Sequence, residues 1–157
     1  MNDQIKFMRR AIELAVENVR LQLGGPFGAV IVKDGTIVAE GTNLVTSTND
    51  PTAHAEVTAI RVACAALGSF QLDGCDLYTS CEPCPMCLGA IYWARPTRLF
   101  YGSTHQDAAE FGFDDSFIYQ QSCLPAAQRH IPMNQLLGEE ALAGFLEWRK
   151  STAKIHY

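Results

Sequence analysis

The chain has 157 residues, 48% apolar and 18% charged, a composition that excludes a disordered or low-complexity protein and suits one domain with a real core. Twelve Lys and Arg against seventeen Asp and Glu leave a net charge of −5 and a pI near 5.3. The basic residues are scattered in runs no longer than two, so binding to nucleic acid by its phosphates is not expected and a small neutral substrate is.

Ile5, Met8, Ile12, Ala15, Val19 and Leu23 recur at three- and four-residue spacing and predict an amphipathic helix over residues 3–23, stopped by Gly24-Gly25-Pro26. A strand over residues 28–33, a tight turn at Asp34-Gly35 and a return strand over residues 36–42 make a hairpin. Residues 44–50 read as a polar loop. Asp50 is a natural N-cap and Pro51 suits a first helical position. A second helix is therefore expected from Pro51 to about Leu67, ended by Gly68, with His54 in its first turn. A third strand covers residues 75–79. A loop through Ser80, Cys81 and Glu82 leads to a helix that starts at Pro83, runs to about Ala94 and stops at Arg95-Pro96. Leu99 to Tyr101 form a fourth short strand. Past residue 103 the pattern weakens. A short helix is expected within residues 107–121, an edge strand between Pro125 and Pro132, and a helix over residues 139–150 before the tail that ends at Tyr157. No repeat or linker interrupts the chain, and the alternation of helices and strands implies a sheet covered on both faces. No segment approaches the roughly 20 apolar residues of a membrane span, and no signal peptide is visible, so a cytoplasmic protein without membrane contact is expected.

Two short motifs fit together as one metal site: His54-Ala55-Glu56 and Pro83-Cys84-Pro85-Met86-Cys87. One imidazole and two thiolates supply three ligands where zinc takes four, and a fourth position open to water makes such a metal catalytic rather than structural. Glu56 is then placed to serve as the acid/base for that water. Cys84 and Cys87 are three apart and share a helix face, and the positive end of a helix favours thiolate over thiol. Either half alone is weak, because Cys-x-x-Cys pairs also occur as buried thiols and a lone His is commonly satisfied in a core. The two halves together, each with a helix-start signal, carry the reading. The alternative is a closed site with Cys81 as fourth ligand, or an iron–sulfur run completed by Cys123. For the iron–sulfur run, no Pro follows Cys123 and His54-Ala55-Glu56 would be left without a role.

His-x-Glu followed by Pro-Cys-x-x-Cys is the zinc-deaminase signature. With Gly24-Gly25-Pro26-Phe27-Gly28-Ala29-Val30, Asn49 to Glu56 and Cys81 to Ala90, the chain resembles the cytidine-deaminase-like superfamily over at least residues 25–102. Gly112-Phe113-Asp114-Asp115 extends the resemblance to the bacterial guanine deaminases along the whole chain. The resemblance implies an α/β fold: a three-layer α/β/α sandwich with a mixed sheet of about five strands, a single domain over residues 1–157. It implies one Zn2+ per subunit on His54, Cys84 and Cys87. It also implies a homodimer that exchanges its C-terminal helix and tail, residues 139–157. The implied reaction is hydrolytic deamination of guanine, a small purine base, to xanthine and ammonia, with Glu56 moving the protons. By the same resemblance Asn43 contacts the purine edge, Phe27 walls the pocket and Tyr157 lies near the partner's site. The resemblance picks Asp115, with Asp114 as the alternative, as the second carboxylate that accepts guanine N–H groups and assists the leaving amine. Taken alone, these residues also read as a turn Asn, a core Phe, a helix-capping Asp pair and a solvated tail. The alternatives in function are a deaminase of another nucleobase or amino-azine, a tRNA adenosine deaminase, and a non-catalytic zinc protein.

Overall fold

The computed structural model describes residues 2–157 and divides into two compact units, one ending at Asp115 and one spanning Ser116–Tyr157. The first unit contains α1 (Asn2–Arg20), a hairpin of β1 (Gly28–Lys33) and β2 (Thr36–Thr42), and a short α2 (Val45–Thr48). It continues with α3 (Ala55–Leu67), β3 (Cys75–Cys81), α4 (Pro85–Ala94), β4 (Arg98–Ser103) and α5 (His105–Glu110). Among the described residues, four strands form one sheet in the order β2-β1-β3-β4. The first three run antiparallel to their neighbours, and β3–β4 is parallel because α4 crosses between them. The hairpin turns on Asp34 and Gly35, both at positive φ.

Alternation along the strands sorts the core. Ala29, Ile31, Cys75 and Leu77 cluster with Ala55, Ala59 and Ala63 of α3 and Ile91 and Ala94 of α4. Val30, Val32 and Tyr78 point the other way, onto Phe7, Ala11 and Leu14 of α1. Helices therefore cover both faces of a mixed α/β sheet. The small residues of α3 let it lie close to β2, and Gly41 is required there. A Cβ on Gly41 would sit 2.4 Å from the Ala55 carbonyl oxygen and 2.5 Å from the Ala59 nitrogen.

Four of the expectations change. The sheet has four strands rather than about five. The segment between Pro125 and Pro132 forms a 3-10 turn at Ala126–Gln128, since the prolines lack N–H donors and Ala-Ala-Gln carries no alternation for a strand. The first helix ends at Arg20, where the Leu21 and Leu23 N–H groups bond back to the Glu17 and Asn18 carbonyls. Its buried face is Phe7, Ala11, Leu14, Ala15 and Asn18, while Ile5, Ile12 and Val19 are 48%, 45% and 48% exposed. The helix carries two apolar stripes, and the spacing of one does not reveal that the other meets the sheet. In place of one short helix within residues 107–121 there are two, α5 and α6 (Ser116–Cys123), with Gly112 at φ 90° in the segment after α5.

In the second unit α6 is followed by the Ala126–Gln128 turn, a 3-10 turn at Glu140–Leu142 and α7 (Ala143–Lys150). No residue of this unit is buried. Ile131, Leu136, Leu137 and Phe145 are all exposed.

Candidate metal centre and its surroundings

His54 is the N-cap of α3 and Cys84 the N-cap of α4, both with extended backbone. The Asp50-Pro51 signal makes a turn instead of a helix start. Asp50 Oδ1 accepts the Thr52 N–H at 2.8 Å and the Asp50 carbonyl accepts the Ala53 N–H at 3.1 Å. The helix consequently begins after His54 rather than before it. The Leu44 N–H donates to the Ala53 carbonyl at 2.9 Å, which holds the exit of β2 beside His54. On α4, Pro85 occupies the first turn and Cys84 Sγ accepts the Cys87 N–H at 3.5 Å.

These caps bring His54 Nδ1 to 3.6 Å from Cys84 Sγ and 3.4 Å from Cys87 Sγ. Bonds of about 2.0–2.1 Å to nitrogen and 2.3 Å to sulfur, at tetrahedral angles, put nitrogen and sulfur roughly 3.6 Å apart. The donor set and spacing therefore fit one zinc ion. Among the described residues, His54, Cys84 and Cys87 are the one cluster of this kind. Cys81 is not in it: its thiol donates to the Thr104 carbonyl at 3.6 Å. Cys123 belongs to the second unit and is exposed. Neither a closed Cys81 site nor a four-cysteine cluster matches this arrangement.

Hydrogen bonds from the Cys87 thiol and from His54 hold the Cys84 thiol down to about 4, a thiolate at neutral pH. Its partner Cys87 is pushed up, first by that hydrogen bond to Cys84 and then by burial. Contact with Cys84 raises His54. A bound divalent cation would displace the thiol proton and hold both cysteines as thiolates.

Glu56 sits in the first turn of α3 and is 6% exposed. The Thr79 hydroxyl, on β3, donates to its Oε1 at 3.2 Å. Burial pushes its carboxyl above the ordinary range. Asp115, at the end of the first unit, is raised by partial burial and by the nearby Cys84 thiolate, which puts its carboxylate in the field of the cluster. Phe27 meets Phe113 edge to face with centroids 5.0 Å apart. Asn43 is buried just past β2, its Oδ1 accepting the N–H groups of Gly25 and Val45. Tyr157 lies in the second unit, largely exposed.

Three contributors were missed in the sequence. Thr79 reads there as an ordinary strand residue. Glu82 accepts both the backbone N–H and the Nδ1–H of His105, at 3.0 Å and 2.9 Å, tying the metal loop to α5. Asn18 is a buried polar residue on α1. Its signal was the stripe Phe7, Ala11, Leu14, Asn18, in which an Asn occupies a core position.

An imidazole and two thiolates held at two helix caps, beside a buried carboxylate and against a covered mixed sheet, define a metal-dependent hydrolase of the zinc-deaminase class. Residues 1–103 match the cytidine and deoxycytidylate deaminase zinc-binding region, and the chain belongs to that family. It is 63% identical over 151 residues to the guanine deaminase of Bacillus subtilis strain 168, covering 96% of this chain and 97% of that protein. The X-ray structure of guanine deaminase from Bacillus subtilis superposes with a TM-score of 0.95 at 62% identity, over 97% of both chains. A tRNA-specific adenosine deaminase of Agrobacterium fabrum is 38% identical over 80% of this chain and 82% of its own. A solved guanine deaminase from Nitrosomonas europaea has a TM-score of 0.66 at 36% identity, over 69% of this chain and 63% of that one.

Proposed function

We propose that this protein is a zinc-dependent guanine aminohydrolase that converts guanine and water to xanthine and ammonia. The observation that carries the chemistry is the three-donor cluster of His54, Cys84 and Cys87 with the buried Glu56 beside it. The guanine-deaminase relative that matches almost the whole chain supports the substrate, and the net charge of −5 does not favour the tRNA alternative.

His54, Cys84 and Cys87 would hold one zinc ion per subunit, which supplies an activated water by lowering its pKa from about 15.7 toward ~7. Glu56 accepts the proton of that water and passes protons to the ring nitrogen and to the departing amine. A carbon–oxygen bond forms and the carbon–nitrogen bond to the amine breaks, the water providing both the oxygen and the hydrogens. Thr79 orients the Glu56 carboxylate for this exchange. Asp115 accepts N–H groups of guanine and assists proton transfer to the leaving amine; a base without those donors leaves it unpaired and is penalised, which favours guanine. Asn43 contacts the purine edge, and Phe27 with Phe113 forms an aromatic wall.

The same reading makes the enzyme a cytoplasmic homodimer that exchanges residues 139–157, with Tyr157 near the site of the partner subunit. No described helix is long and apolar enough to cross a membrane. The second unit has no buried side chain, and α1 presents a spare apolar stripe.

The test is ammonia release from guanine, adenine, cytosine and a tRNA anticodon stem, with zinc quantified in the same preparation. Turnover on guanine is expected. E56Q should retain zinc and lose at least 10²–10⁴-fold in kcat, the usual worth of a general acid/base. No release from guanine refutes the substrate, and unchanged kcat in E56Q refutes the role of Glu56.

A further inference from the structure

We infer that Asn18 is a positioning residue for substrate recognition, acting through Asn43, whose amide it helps hold with the NH2 group available as a hydrogen-bond donor. The inference rests on the reading of Asn43 as a purine contact.

Asn18 is 1% exposed on the inner face of α1. Its Nδ2 donates to the Gly25 carbonyl at 2.9 Å and to the Asn43 carbonyl at 2.8 Å. Both facing groups are acceptors, so the amide nitrogen has to point at them. A single side chain thereby clamps the loop before β1 to the exit of β2. The clamp is tight, since a Cβ on Gly24 would come within 2.0 Å of the Asn43 carbonyl oxygen.

The clamp sets what Asn43 can offer. Its backbone N–H donates to the Phe27 carbonyl at 3.2 Å. Its Oδ1 accepts the N–H groups of Gly25 and Val45, each at 3.3 Å. Turning the amide over would forfeit both bonds and set NH2 against two N–H groups. Asn18 holds the Gly25 carbonyl and Gly25 in turn holds Asn43 Oδ1, so the buried amide fixes the second amide from behind. Asn43 then presents donor hydrogens, which recognise an acceptor on the base: an unprotonated ring nitrogen or a carbonyl oxygen. Asp115, an acceptor, addresses the N–H groups. The pair would read complementary features of a purine that carries both.

The experiment is steady-state kinetics of zinc-loaded N18A, N43A and the double variant, with guanine and with 7-deazaguanine and 3-deazaguanine as substrates or competing inhibitors. Zinc content and melting temperature are measured on each. N43A should raise the guanine KM about tenfold, the worth of a lost hydrogen bond to a buried partner. It should also erase the penalty on the deaza analogue that lacks the matching acceptor. N18A should move KM and that penalty the same way by a smaller factor, with kcat changed less, and the double variant should match N43A alone. An N18A enzyme with lowered melting temperature but wild-type KM and analogue ratio overturns the inference, as does an N18A effect that multiplies in full onto N43A. If N43A itself leaves KM and the ratio unchanged, the Asn43 contact fails and the inference with it. An effect of N43A beside an inert N18A sinks Asn18 alone. Should N18A not fold, N18S, which keeps one shorter donor, is read by the same criteria.

Discussion

Cys81 decides at the level of one side chain whether the metal centre is open or closed. It stands three residues before Cys84, as Cys84 stands before Cys87, and spacing alone cannot tell the three apart. Its thiol engages the Thr104 carbonyl, and burial pushes it up, away from thiolate. C81S should therefore keep its zinc and most of its activity, as measured by metal analysis and guanine turnover. Loss of the metal in C81S would make the site a closed one and remove the place for water. The other decisive side chains act in pairs. Glu56 is set by Thr79, a strand residue 23 positions away, and Asn43 is held in part by Asn18, 25 positions away. The ligands were legible in the sequence because spacings of two and three are counted within one helix start. Their supports were not, because a hydrogen bond across the sheet leaves no local pattern.

Arg10 on α1 and Glu40 on β2 form a two-point ion pair, with Nε to Oε1 at 2.7 Å and Nη2 to Oε2 at 2.9 Å. The hydrogen bond from Arg10 holds Glu40 below its ordinary value of 4.5. A carboxyl depressed in the folded state stabilises the fold above its unfolded pKa, and that contribution is lost as pH falls through the folded one. Both side chains are about a third exposed, so solvent screening limits the pair to under about 1 kcal/mol. Urea unfolding of E40Q against the parent should show that deficit at pH 7 and lose it progressively below pH 4.5. A deficit that persists in acid would assign it to packing. Elements with local punctuation were well marked in the sequence, above all the hairpin at Asp34-Gly35. The first helix was found but its face was not, because Ile5-Ile12-Val19 and Phe7-Ala11-Leu14 are both apolar stripes and the sheet selects the second. The second and third helices were placed early, because Asp50-Pro51 and Pro83 imitate starts that the structure puts at His54 and Cys84. The missing fifth strand had no alternation to support it, only a pair of bracketing prolines.

A chain segment without a buried side chain cannot hold itself together by its own core, and Ser116–Tyr157 is such a segment. The proposed exchange between subunits would supply a partner for it, and co-expression tests this. One chain carries E56Q with an intact tail; the other lacks Tyr157 but has intact chemistry. Exchange lets the first lend its tail to the second. With random pairing, half the dimers are mixed and each has one working site, giving about a quarter of the parent activity. Without exchange, mixed dimers are as inactive as the two parents, as a guanine assay on light-scattering-verified dimers would show. All four strands and the three metal ligands precede Asp115. Synthesis runs from the N-terminus, so the ribosome delivers a complete zinc-binding unit before the last segment of chain emerges. Folding of that unit would be first order, whereas the proposed mating of two tails would be second order in newly made chain. On the proposed exchange, metal loading would precede closure, and the lag between them would shorten as expression rises.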